Sequence, residues 1–366
     1  MKKLSILFVM ILVMLSACTP AESIILQEPE QSEVVTTQEE ITQEPEETIL
    51  EFSNLVSFSA DRIADYNHGQ IGYLFLEHIQ EHFPGRIAFT EQELNAANWL
   101  IAELLYAGYS MDDIEIQEFR GTQRALDWAR NFTINAPEGF DGLARREYSQ
   151  NVIVTKHGES DKVIIVGAHY DDIGLHGISD NASGMVMLLE SAIRMLNVET
   201  PYTIKFIFFG AEEVGLIGAY HYVDSLTEEE KANILFMLNI DVIFESDDFH
   251  VSTGTLLPTG EFLNPDPISD RIDEMVINSD LDLILLEKDM GVANIPSDQL
   301  PFVFEGITAV VFDAVRREPN GGLGFDFLHD FERDSLPFIH EYAPERIERA
   351  LFSFSVLLEQ ILLERF

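Results

Sequence analysis

His169, Asp171, Glu212, Glu213 and Asp241 each stand just beyond a run of apolar residues, and that placement gives them a chemical meaning. His169 and Asp171 follow the apolar run 163–168, Glu212-Glu213 follow Phe209-Gly210-Ala211, and Asp241 follows the run 234–240. Asp180 lies in Gly177-Ile178-Ser179-Asp180-Asn181-Ala182-Ser183-Gly184, a turn leading into an amphipathic stretch. Imidazole plus several carboxylates, in a chain with one cysteine, is a donor set for a hard or borderline divalent metal. An acidic pair alone says little here, because Glu39-Glu40, Glu46-Glu47 and Glu228-Glu229-Glu230 also occur. Glu212-Glu213 differs in being bordered by apolar sequence on both sides, 206–211 and 214–218. Charges carried into such surroundings need a partner or a metal. His68, His78, His82, His157, His176, His221, His250 and His340 lack that placement, and packing or surface roles are expected of them.

The elements that must position these groups can be read from periodicity. Continuous apolar, often β-branched runs at 163–168, 203–209, 234–240, 283–286 and 308–312 predict strands. Between the first two, Met185, Leu188, Leu189, Ala192, Ile193 and Leu196 share one broad helical face. Leu94, Ala97, Leu100, Ile101, Leu104 and Leu105 predict a helix over 90–108 that Gly108 ends, and 344–363 reads as a closing helix. Continuous apolar strands alternating with helices indicate a largely parallel sheet covered on both faces. In such sheets the carboxyl ends of the strands line the ligand crevice, so the strand-end His and carboxylates should converge.

Composition excludes several partners. The 366 residues carry 22 Lys plus Arg against 64 Asp plus Glu, a formal net charge of -42. Nucleic acid and anionic membrane surfaces are disfavoured, because affinity for phosphates comes from clustered bases. The single cysteine, Cys18, excludes an internal disulfide framework. The apolar run 4–17 would make a helix of roughly 21 Å, short of the ~30 Å hydrocarbon core, so it reads as a signal peptide. Leu15-Ser16-Ala17-Cys18 resembles a bacterial lipoprotein signal, in which the cysteine is lipidated and becomes the first mature residue. Residues 19–50 hold nine Glu and no Lys or Arg, a composition that cannot offset the entropy of ordering. The expected organisation is a lipoprotein signal peptide at 1–17, a disordered acidic tether at 18–50 and one domain at 51–366. The expected location is extracytoplasmic, with Cys18 as the membrane anchor. Five of the fifteen arginines fall between Arg120 and Arg146, a strip read as solvated surface.

Gly167-Ala168-His169-Tyr170-Asp171, Ser179-Asp180-Asn181-Ala182-Ser183-Gly184, Gly210-Ala211-Glu212-Glu213-Val214-Gly215, Asn239-Ile240-Asp241 and Ser297-Asp298 resemble, in order, the motifs of the M28 family of zinc aminopeptidases. Pro84-Gly85-Arg86 through Gly108-Tyr109 also resembles that family's N-terminal helix region. The resemblance implies an α/β fold, a three-layer α/β/α sandwich around a mostly parallel mixed sheet, with two Zn²⁺ as cofactor and peptides with a free N-terminus as substrates. Carried over by position, His169 and Asp241 would bind one zinc, Glu213 and His329 the other, and Asp180 would bridge them. Glu212 would be the general base on the attacking water, Asp171 the carboxylate that orients His169, and Asp298 a supporting residue. Two positions depart from the family pattern. Asp334 lies five residues after His329 where four is common, and Leu328 occupies a place where a Tyr often polarises the scissile carbonyl. His340 is the weaker alternative to His329. Other readings are a mono-zinc glutaminyl cyclase on the same fold and a non-catalytic peptide-binding surface lipoprotein.

Overall fold

Ten helices and ten strands can be followed through the described residues of the computed structural model, which are 56–135, 146–286, 291–293, 295–318 and 322–366. The signal peptide and tether expected at 1–17 and 18–50 lie outside them. Helix α1 (Gln70–His82) buries Ile71, Phe75, Leu76 and Ile79, the spacing of one helical face. Helix α2 (Glu91–Ala107) starts where the Thr90 side chain accepts the Glu93 N–H and stops at Gly108, whose φ of 124° ends the helix. There follow β1 (Ile114–Arg120), α3 (Gln123–Asn135), β2 (Tyr148–Lys156), β3 (Ser160–His169), α4 (Ser183–Met195), β4 (Tyr202–Phe209), α5 (Ile217–Ser225), α6 (Glu228–Asn233) and β5 (Ile234–Ile240). The remainder comprises β6 (His250–Gly254), α7 (Pro267–Ile277), β7 (Ile284–Leu285), α8 (Leu300–Phe304), β8 (Ala309–Asp313), β9 (Arg316–Arg317), β10 (Leu323–Gly324), α9 (Leu336–Tyr342) and α10 (Arg346–Leu363).

Eight strands form one mixed sheet in the order β1-β2-β4-β3-β5-β8-β6-β7. The centre, β4-β3-β5-β8, is parallel, while β1 and β2 join it antiparallel on one side and β6 on the other. Strand alternation divides the core into two. Ile164, Val166, Phe206, Phe208, Phe236 and Leu238 pack beneath α1, α2, α4 and α10. Ile165, Ile207, Phe209 and Met237 face α5 and α8 through Ala219, Tyr222, Val223 and Phe302. Each such side chain, fully withdrawn from water, contributes about 1.5–3 kcal/mol, which makes the sheet a stiff platform for whatever its edge carries. The result is the expected three-layer α/β/α sandwich.

Periodicity missed three strands of the eight-stranded sheet, and the short β9-β10 pair as well. β2 opens with the buried polar residues Ser149, Gln150 and Asn151, and β6 runs His-Val-Ser-Thr-Gly, so neither reads as apolar. β1 is an edge strand with mostly exposed side chains. The strand expected at 283–286 shrinks to two residues, pairing only with β6. Among the described residues no helix is long and apolar enough to cross a membrane.

Candidate metal centre

The parallel order places the ends of β3, β4 and β5 on one edge, and each expected group emerges there. His169 is the last residue of β3, and the Tyr170 N–H still bonds to Phe209 O at 3.0 Å. Beyond β4 and β5 the chain turns sharply. Ala211 (φ 56°) immediately precedes Glu212, and Val242 (φ 49°) immediately follows Asp241. His329 itself has φ 57°. Left-handed backbone at non-glycine residues costs about 1–2 kcal/mol apiece, and its clustering here marks the edge as a functional site.

Asp180 is seated from two sides. Its neighbour Asn181 donates from Nδ2 to Ile240 O (2.9 Å) and accepts the Gly184 N–H (2.9 Å), so the loop is tied to the end of β5. A Cβ on Gly184 would lie 2.4 Å from Ile240 O, which leaves room for glycine alone in this approach. From the other side, the Asp334 carboxylate accepts the N–H groups of Ser179 (2.5 Å) and Asp180 (3.2 Å).

The side chains then meet in two groups, His169 with Glu212 and Asp241, and Asp180 with Glu213 and His329, each with its donor atoms within 4.8 Å of one another. Asp180 joins them: Oδ1 is 3.2 Å from His169 Nε2 and Oδ2 is 3.2 Å from His329 Nε2. Asp241 Oδ1 is 3.3 Å from His169 Nε2, and Glu213 Oε2 is 3.5 Å from His329 Nε2. All the residues expected at the centre, including His329, are thus brought together.

Asp171 acts on its surroundings in two ways. Its carbonyl oxygen is 3.0 Å from His169 Nδ1, so the ring presents Nε2 to the carboxylates, while its own carboxylate stands farther away, at 3.7 Å. That carboxylate accepts the backbone N–H groups of Glu212 (2.9 Å) and Glu213 (3.3 Å). The ring of His169 is therefore held by backbone, and the acidic turn by the Asp171 side chain.

Charge at the site is unbalanced. Among the described residues no Lys or Arg forms an ion pair with Asp180, Glu212, Glu213, Asp241 or Asp298. Burial and the neighbouring carboxylates of Glu213, Asp298 and Asp241 hold the Glu212 carboxyl well above its usual range, against the pull of His169. Burial and Asp180 push Glu213 up to about 8. Burial opposes a charge on His329, yet Asp180 and Glu213 raise it to about 10, and His169 is likewise raised by Glu212, Asp241 and Asp180. Asp180 is the exception: despite burial, the two imidazoles hold its carboxyl below the ordinary value. Glu213 Oε1 and both oxygens of Asp298 are buried without a hydrogen-bond partner. Buried anions without cations or donors are costly, and divalent cations would satisfy this donor set. A pair of metal ions therefore fits the residues present.

Several supports were not legible in the sequence. Asp334, out of register with the family pattern, nevertheless seats Asp180. Glu93, fully buried, accepts from Phe89 N (2.6 Å) and Ser149 Oγ (2.5 Å) behind the Glu212-Glu213 turn. Arg86, also buried, pairs with Asp172 at 3.2 Å and donates to Tyr170 O and His176 O, fixing the loop between His169 and Asp180. Only its place in Pro84-Gly85-Arg86 hinted at a role. His340 is elsewhere, 2.5 Å from Tyr73 Oη. Leu328 packs against Val242, Ile295 and Val315, forming an apolar wall beside the two groups.

The profile of peptidase family M28 matches residues 151–351, more than half of the chain. An aminopeptidase of Pseudomonas aeruginosa is 38% identical over 127 residues, which cover 34% of this chain and 24% of that protein. The chain spans about half or less of the length of the curated relatives it matches. In fold it is similar to BSAP, a zinc aminopeptidase from Bacillus subtilis, with a TM-score of 0.60, 19% identity and coverage of 82% of this chain and 96% of that one. It is also similar to a glutaminyl cyclase from an Acidobacteriales bacterium, with a TM-score of 0.56, 19% identity and coverage of 81% and 94%.

Proposed function

The chain belongs to peptidase family M28, and from that footing we propose that it is a two-zinc aminopeptidase that releases N-terminal residues from peptides. The observation that carries the reading is Asp180, whose two carboxylate oxygens each face one histidine and so join two complete donor groups. His169 and Asp241 would hold one ion, Glu213 and His329 the other, and Asp180 both. Bound there, two zinc ions supply Lewis acidity that polarises the scissile carbonyl and acidifies a water.

The protein's own part is proton transfer and positioning. Glu212 stands among the donors of the first group, and among the described residues its carboxylate forms no hydrogen bond with a Lys, Arg or backbone donor. It takes the proton of the attacking water and returns it to the departing amine. Asp171 fixes the turn that aims it, through the N–H groups of Glu212 and Glu213. The surplus of carboxylates also attracts a substrate ammonium, which accounts for cutting from a free N-terminus. With Leu328 rather than a phenol beside His329, no side chain of this chain donates to the carbonyl oxygen from that position.

In the cell we place the enzyme outside the cytoplasm, anchored through a lipidated Cys18 and held off the membrane by the acidic stretch 18–50. Support for this comes from the lipoprotein-like Leu15-Ser16-Ala17-Cys18. Cys18→Ser should move the protein from the membrane fraction to the soluble fraction.

The test of the reaction is hydrolysis of matched peptides with free and acetylated N-termini, with and without a chelator. Cleavage of the free peptide alone, abolished by chelation, is expected; equal cleavage of both overturns the reading. Likeness of fold to a glutaminyl cyclase supplies the rival, which would instead cyclise N-terminal Gln with one metal per chain.

A further inference from the structure

Of the two histidines at the centre, only one is fixed by the sheet. His169 ends β3 with its side chain 1% exposed, whereas His329 sits on an irregular loop with its side chain 45% exposed. The second donor group therefore depends on what holds that loop. Asp326 and Phe327 lie three and two residues before His329, and their N–H groups both donate to Glu245 Oε2, at 2.7 and 2.9 Å. Glu245 is fully buried and stands four residues after Asp241, on the turn that leaves β5. That turn is itself pinned. The Ile243 N–H donates to Ser183 Oγ at the start of α4 (3.3 Å), and the Ala314 N–H, just past β8, donates to Val242 O (3.2 Å).

Arg346, the first residue of α10, closes the same contact from outside. Its Nη1 donates to Phe244 O (3.2 Å) and to Asp326 Oδ2 (3.1 Å), while Arg316 Nη1 donates to Asp326 Oδ1 (2.9 Å). Phe327 is buried, with the Arg346 guanidinium 5.6 Å from its ring centre. Toward the interior, the Ser179 side chain lies near enough to act on the Glu245 carboxyl, and Ser179 immediately precedes Asp180. Glu245 Oε1 and Ser179 Oγ are both buried without a hydrogen-bond partner among the described residues. One carboxylate thus stands where the turn after Asp241, the loop before His329 and the loop before Asp180 meet.

We propose that Glu245 is a positioning residue for the second metal ion: it holds His329 in register with Glu213 and Asp180, and so sets the affinity for that ion, although it belongs to neither donor group. The proposal rests on the two-zinc reading. A carboxylate that accepts two consecutive N–H groups fixes the backbone from which the ligand projects, through bonds stronger than those of a neutral acceptor. Partners that orient ligands in this way change metal affinity by about 10–100-fold. His169, held at a strand end, does not use this support, so the effect falls on one ion of the pair.

The experiment titrates zinc against a competing chelator and counts bound ions per chain in the wild type, Glu245→Leu, Glu245→Gln and Ile101→Val. The last thins the core at a buried position of α2 and controls for general loosening. Glu245→Leu should bind one ion as the wild type does and the other roughly 10–100-fold more weakly, with turnover recovering as zinc is raised. Glu245→Gln keeps an oxygen that can accept both N–H groups and should regain most of the affinity, while Ile101→Val should bind both ions normally. In a His329→Ala background Glu245→Leu should have no further effect on metal binding, because the two act through one ligand. Asp326→Ser, released from both arginines, acts on the same loop and should show the same selective loss, which keeps the test open if Glu245→Leu does not fold. Two ions held with wild-type affinity in these variants overturn the inference, as do equal weakening of both ions, an equal loss in Ile101→Val, or losses that add to that of His329→Ala. Wild-type protein that binds a single zinc overturns the two-zinc reading itself, a result distinct from two bound ions that are indifferent to Glu245.

Discussion

Stripping the metals should invert the pH dependence of stability. Without cations, burial and Asp180 place the Glu213 carboxyl near 8, against 4.5 for the free group. A carboxyl that holds its proton more tightly when folded is lost from the folded state's favour as it ionises, so stability falls between the unfolded and folded values. From pH 5 to 7.5 this one group removes about 3 kcal/mol, which corresponds to roughly 6 °C in Tm for a domain of this size. His329 acts in the same direction: raised to about 10, it contributes stability that is complete below about 6.5 and is lost as pH rises from there toward 10. The metal-loaded protein should do the opposite, because protons compete with cations for the same oxygens and nitrogens. Urea unfolding of chelated and zinc-loaded protein at several pH values from 5 to 8 measures both limbs. A chelated protein whose stability stays flat or rises over that range would refute the electrostatic picture of the site.

Glu212→Gln should lower kcat by about 10²–10⁴ while two metals remain bound, as read by metal analysis of the variant. Asp334→Asn should weaken metal affinity by roughly 10–100-fold in competition with a chelator, because it loosens the Ser179 and Asp180 N–H groups without touching a ligand. Arg86→Met leaves Asp172 buried and unpaired, and should cost about 3–5 kcal/mol in urea unfolding.

What could be read from the sequence was the part that local pattern encodes. Apolar runs ending in His169, Glu212-Glu213 and Asp241 announce both parallel strands and the residues at their carboxyl ends, so periodicity locates the element and the chemistry together. His329 has no such signal. It sits on an irregular loop with left-handed backbone, and only the family resemblance pointed to it. Asp334 was hidden for another reason. Its bonds reach 155 residues back to Ser179, and spacing along the chain carries no information about that contact. Glu93 and Arg86 looked like ordinary members of a helix and a turn, and only the packed structure shows them buried behind the acidic turn and its loop. β2 escaped because Ser149, Gln150 and Asn151 are buried by hydrogen bonding rather than by apolar character.

The central claim is that one carboxylate, Asp180, joins two metal positions in a single catalytic unit. Activity measured as zinc is added stepwise to stripped protein, with bound metal counted in the same samples, tests it most directly. Release of an N-terminal residue that reaches its maximum at two zinc ions per chain, and collapses in Asp180→Ala together with binding of both ions, is the predicted result. Full activity at one ion per chain, or an Asp180→Ala protein that still binds two, would contradict it.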